Sequence, residues 1–110
     1  MEISWNDFEK IEMRVGTIIA VEAFPEARKP AFKLQIDFGK ELGILKSSAQ
    51  ITALYESEML LGKQVIAVTN FPKKQIGPFM SECLVLGAVN GSEVTLLQPE
   101  RAVTNGLRIS

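Results

Sequence analysis

Between Ala31 and Gly39 the chain alternates without a fault: Phe32, Leu34, Ile36 and Phe38 fall on one side, Lys33, Gln35 and Asp37 on the other. Side chains of a strand point alternately to opposite faces, so this segment suits a half-buried strand with its apolar face on a core. A helix would scatter the same residues around its circumference. What flanks this strand decides the architecture.

Upstream, residues 13–24 read as a long strand, with Met13, Val15, Ile19, Val21 and Ala23 on one face and Arg14, Gly16 and Glu22 on the other. Gly16 inside it predicts a bulge or a sharp coil. Pro25 and Pro30 bracket the connecting loop. Downstream, a turn at Lys40-Glu41 leads into a third strand over residues 42–49. Thr52 can cap a helix that runs to Leu61 and stops at Gly62. Val65 to Val68 is a short, buried fourth strand, and residues 82–89 form a fifth. Asn90-Gly91 is a type I′ hairpin signal, after which residues 93–97 return as a sixth strand. At the other end, Ser4-Trp5-Asn6-Asp7 fits the capping pattern of a short helix, which must dock on something to persist.

Three strands, a helix and then further strands is the order of an OB barrel, and a long glycine-kinked first strand suits one that must serve both halves of the barrel. An SH3-like barrel is the main competitor, and the helix placement counts against it. The expected fold is all-β with short helices: an OB-fold five-stranded β-barrel with an extra C-terminal hairpin and tail and a short N-terminal helix. Residues 1–110 are expected to be one domain.

Catalysis finds little to work with. There is no histidine, which removes the commonest general base, the usual partner of a nucleophilic serine or cysteine, and the imidazole ligand of zinc. Cys83 lies in the apolar run Cys83-Leu84-Val85-Leu86 with no nearby cation to lower its pKa, the setting of an inert core thiol. The carboxylates are scattered and no glycine-rich phosphate loop is present. We expect no catalytic residue, no metal and no cofactor. A lone cysteine suits a reducing compartment, the residues after Met1 lack the pattern of a secretory signal, and the apolar runs are too short to span a bilayer. A cytoplasmic protein without membrane insertion is the expectation.

The stretch from Asn70 to Glu82 joins the fourth and fifth strands, where OB folds place a ligand-contacting loop. It carries Phe71, Ile76, Phe79 and Met80 beside Lys73 and Lys74. Loops are ordinarily polar, so this one calls for a partner, a dimer contact or a fold back onto the core. Phe71, Ile76, Phe79 and Met80 are the candidate ligand-contacting residues. Arg28, Lys29 and Lys33 form a second basic cluster. With Lys73 and Lys74 they are the candidate contacts to the phosphates of single-stranded or looped RNA, since the net charge of −1 requires any phosphate-binding surface to be local. Apolar residues make up 46% of the chain, more than one small barrel can cover. Trp5, Phe8, Val103, Leu107 and Ile109 are therefore the candidate dimer interface.

Several strings resemble a known family. Arg14-Val15-Gly16, Phe24-Pro25-Glu26-Ala27 and Leu61-Gly62-Lys63 are similar to the tRNA-binding OB domain, which occurs appended to some aminoacyl-tRNA synthetases and as free-standing homodimers. Ser47-Ser48-Ala49-Gln50-Ile51, Asn70-Phe71-Pro72, residues 75–82 and Leu97-Gln98-Pro99-Glu100-Arg101 resemble the bacterial export-related chaperones within it. The resemblance covers nearly the whole chain. It implies an OB-fold homodimer tied partly by the N-terminal helix and C-terminal segment, with affinity for unfolded polypeptides, exported preproteins among them, and a link to the export machinery and to tRNA. Under it Phe71, Ile76, Phe79 and Met80 become the candidate peptide-binding residues, and Arg28, Lys29, Lys33, Lys73 and Lys74 the candidate tRNA contacts. The family's loop is more basic, with arginine before the glycine; Ile76 stands there in this chain and suits an apolar ligand better. Three roles remain open: a peptide-binding chaperone, a tRNA-binding module, and a partner subunit for one fixed protein.

Overall fold

A computed structural model describes residues 1–110. Helix α1 (Trp5–Glu9) precedes strands β1 (Met13–Ala23) and β2 (Phe32–Asp37), the short helix α2 (Gly39–Leu42) and β3 (Ile44–Ala49). Helix α3 (Ser57–Leu60) leads to β4 (Gln64–Val68), β5 (Lys74–Ile76), β6 (Phe79–Ser81), β7 (Leu84–Val85), β8 (Gly87–Asn90) and β9 (Glu93–Leu96). The main sheet has the order β3-β2-β1-β4-β7 and every pairing in it is antiparallel. Its two edges are drawn together without a ladder: Glu82 N donates to Lys46 O at 2.7 Å, Ser47 Oγ to Cys83 O at 2.9 Å and Ser48 N to Ser81 Oγ at 3.1 Å. Ser47 is fully buried, and the Cys83 carbonyl satisfies its hydroxyl. The result is a nearly closed five-stranded barrel, the OB fold expected from the strand order.

β1 serves both halves. Met13 to Thr17 pair with β4, and Thr17 to Ala23 pair with β2. Between Ile18 and Ala20 the register with β2 slips by one residue. That bulge sits three residues beyond Gly16, and it reverses the phase of the alternation. Ile18 shares the core face with Gly16 ahead of the bulge, and Ile19 faces out, whereas strict alternation from Val15 places Ile19 inward. Gly16 has a different task. A Cβ there would lie 2.6 Å from Ile36 Cγ2 and 2.8 Å from Phe38 Cδ1, so the glycine lets β2's side chains close over β1. Ile18, Leu34, Ile36, Phe38, Leu60 and Val65 fill the barrel.

Elsewhere tertiary contacts override local pattern. The helix expected from Thr52 is only the turn Ser57–Leu60, because Ile51 enters the core and the Tyr55 hydroxyl reaches out to accept from Leu96 N at 3.0 Å. The third strand starts at Ile44, since Gly39–Leu42 coils into a helical turn. The single strand expected over residues 82–89 breaks at Leu86, whose N–H donates to Ile66 O while its carbonyl accepts from Leu97 N. There the chain leaves the barrel for the β8–β9 hairpin. A second hairpin, β5–β6, occupies the stretch read as a loop. Both hairpins turn on two residues with glycine first, Gly77-Pro78 (Gly φ +54°) and Gly91-Ser92 (Gly φ +60°). No other residue type has positive φ, so these are type II′ rather than the type I′ turn that Asn90-Gly91 suggested.

Candidate functional site

The two hairpins stand apart from the main sheet and enclose a groove of about 930 Å³. Its floor is the end of β3 with β7: Ala49, Ile51 and Cys83, all buried, beside Leu84 and Val85. One wall is the stretch from Phe71 to Ile76, the other carries Val89 and Val94. The volume lies at the upper end of the range for ligand sites, about 300–1,000 Å³. Phe71 is 56% exposed and Val89 73% exposed, although both are apolar and both face the groove. Exposed apolar side chains gathered around a concavity mark a binding surface rather than scattered surface residues.

Of the four candidate peptide-binding residues, the groove brings together Phe71 and Ile76. Phe79 does not line it. Its ring packs edge-on against buried Phe24, centroids 5.4 Å apart, and lines a separate cavity of about 180 Å³ with Ala20, Glu22, Lys33, Leu34 and Gln35. Met80 is half-buried, paired with Gln75 across the hairpin, and also lies outside the groove lining.

The basic candidates divide in the same way. Lys73 and Lys74 line the groove; Lys73 is held by Glu82 at 3.4 Å, while Lys74 has no ion-pair partner. Lys33 lies over the Phe24 ring at 5.6 Å and is 3.9 Å from Glu22. Arg28 and Lys29 are exposed on the neighbouring loop. Lys46 was not among the sequence candidates, yet its ammonium lies 5.5 Å from the centre of the Phe79 ring. Two cations thus flank a joined pair of aromatic rings, Phe24 buried and Phe79 half-buried.

The dimer candidates lie at the chain ends. The predicted capping box is formed: Asp7 N donates to Ser4 Oγ and Ser4 N to Asp7 Oδ2, both at 3.1 Å. Donation from the Ser4 backbone N–H, and next from its hydroxyl, favours the ionised Asp7 carboxyl and lowers its pKa. Trp5 packs edge-on against half-buried Phe8 but is 80% exposed. The tail is stitched to β1 through Gly106 N to Val15 O, Val15 N to Leu107 O and Ile109 N to Met13 O. Arg14 Nη1 also donates to Gly106 O at 2.8 Å. Val103 and Ile109 are half-buried by this stitching, and Leu107 points outward.

Cys83 is buried beneath the groove, which pushes its thiol up to about 12. It is therefore protonated and a poor nucleophile at neutral pH. No group of three or more histidine, cysteine or acidic residues is placed to hold a metal ion. Leu84, Val85, Val89 and Val94 are among the lining residues that pattern reading missed. A continuous apolar run such as 83–86 means that both faces of a strand are covered by something, and that signal was available.

A nearly closed barrel with an apolar groove between two hairpins defines a class, the small OB-fold binding domain. Residues 13–108 match the family described as "Putative tRNA binding domain", and the chain belongs to that family. It is similar over its whole length to the crystal structure of chaperone CsaA from Bacillus anthracis str. Ames, with 49% identity, TM-score 0.94 and all of both chains covered. The CsaA chaperone protein of Picrophilus torridus gives 51% identity and TM-score 0.93 over 99% of this chain and 100% of that one. Among curated relatives, a methionine–tRNA ligase of Nanoarchaeum equitans is 34% identical across 97% of this chain. That match spans only 13% of the ligase, so the likeness to such enzymes is confined to one small domain of theirs.

Proposed function

We propose that this chain is a homodimeric chaperone of the cytoplasm, a single domain that holds apolar segments of unfolded polypeptides, exported ones among them, in the groove between its hairpins. The observation that carries the reading is the groove itself: room for several side chains, apolar walls and exposed Phe71 and Val89 at its mouth. Its likeness to two CsaA chaperones over the full chain supports the same reading. Two-stranded walls and apolar anchors suit clients of varied sequence, since such a surface can repack around different side chains. The dimer would bury the uncovered Trp5 and Leu107, with Phe8, Val103 and Ile109 behind them. Val89→Asp tests the groove. A charge at that wall should abolish suppression of a denatured client's aggregation while the melting temperature stays unchanged, because Val89 packs on little. Full suppression by this variant would contradict the reading.

A second reading has its own observation. Lys33 and Lys46, held over the packed rings of Phe24 and Phe79, with Arg28 and Lys29 on the neighbouring loop, gather cations that suit the phosphates of unpaired RNA. This is where we place contact with tRNA, and it shares no lining residue with the groove. Lys33→Ala with Lys46→Ala should then reduce the slope of log affinity against log salt by about 1.4, roughly 0.7 for each lost phosphate contact on an unpaired strand. An unchanged slope would remove this surface from the site.

A further inference from the structure

We infer that the groove selects apolar polypeptide segments flanked by an acidic side chain, a refinement that rests on the polypeptide reading above. The only charged residues lining it are Lys73 and Lys74, and no carboxylate lines it. The two lysines differ in their availability. Glu82 uses Oε2 for Lys73 and Oε1 to accept Lys46 N at 2.9 Å, so its charge is committed to holding Lys73 in place. Lys74 is exposed and has no ion-pair partner, beside apolar Phe71 and Ile76. An apolar stretch that buries its side chains between the hairpins leaves any flanking charge near Lys74, where a carboxylate is attracted and an ammonium repelled. The chain as a whole carries net charge −1, so this preference is made locally and is not a general pull on anions. One consequence concerns export clients. A secretory signal begins with a positively charged region, which these lysines repel, so the groove takes up segments away from that basic end.

The test uses the full chain and three fluorescent peptides that share one apolar core and carry Glu, Gln or Lys at the flanking position, each with an amidated C-terminus. The expected order is Glu tightest, then Gln, then Lys, with about threefold to fivefold between neighbours, the effect of a rim ion pair. The spread should collapse in 1 M salt, where the Debye length is about 3 Å. Lys74→Glu should reverse the order with an unchanged melting temperature. Equal binding of all three, or an order that ignores Lys74→Glu, overturns the acidic preference and leaves the polypeptide groove standing. Absence of binding by all three peptides overturns both.

Discussion

Gly16 carries the tightest constraint of any single residue. Its missing Cβ is the space into which Ile36 and Phe38 close, both fully buried. Gly16→Ala should cost about 1–3 kcal/mol through overpacking, seen as a lower urea midpoint with an unchanged m-value. A variant as stable as the parent would mean that the core gives way more easily than its packing suggests. Cys83 makes a prediction of opposite kind, since burial favours its neutral thiol. In the folded protein it should resist alkylation at pH 8 and react only on unfolding, as followed by mass. Because its folded pKa is raised, its contribution to stability is fully present below its ordinary value of 9.0 and is lost as pH rises toward about 12. Rapid labelling at pH 8 without unfolding would refute this. Both residues were legible in part: Gly16 as a special position in a strand and Cys83 as a core thiol. The bulge near Gly16 was not placed correctly, because its position depends on which β2 residue each β1 residue meets.

At the scale of elements, strands with clean alternation were read well and segments whose faces meet different neighbours were not. β2 kept its pattern because one face meets the core and the other meets solvent or the charged outer surface. The run 82–89 looked uniform in sequence, but it passes from barrel to groove wall within a few residues, and only the fold shows that Cys83 points in while Leu84 points out. The β5–β6 hairpin was hidden for a related reason. Its strands are three residues long, too short for periodicity, and Gly77-Pro78 gave the only signal of a turn. Of the candidate peptide contacts, Phe71 and Ile76 reached the groove, while Phe79 went to Phe24, a pairing across distant segments that no local pattern carries. The tail also has more than one task. Deleting residues 100–110 removes three backbone bonds to β1 and the Arg14–Gly106 bond, so the melting temperature should fall along with any self-association. An unchanged melting temperature would show that the stitching contributes nothing to the barrel.

For the whole molecule, the arithmetic of apolar surface decides. Only 17 of the 110 residues are buried although 46% are apolar, and exposed apolar side chains result, among them Trp5 and Leu107 toward the chain ends and Phe71 and Val89 at the groove. The dimer proposed above would cover the first pair, and the proposed client the second. Sedimentation at micromolar concentration should give twice the chain mass, and Trp5→Ala with Leu107→Ser should shift it toward the monomer without unfolding the barrel; a soluble monomer of the parent chain would end the dimer assignment. The groove is the central claim, and Phe71 tests it most directly because it is exposed and supports no core contact. Binding of a fluorescent unfolded-client peptide and thermal unfolding should be measured together for Phe71→Ala. Loss of an anchor that is buried on binding costs about 2 kcal/mol, roughly thirtyfold in Kd, and the melting temperature should not move. Parent-level affinity in this variant, or a loss that only follows a lowered melting temperature, would contradict the account.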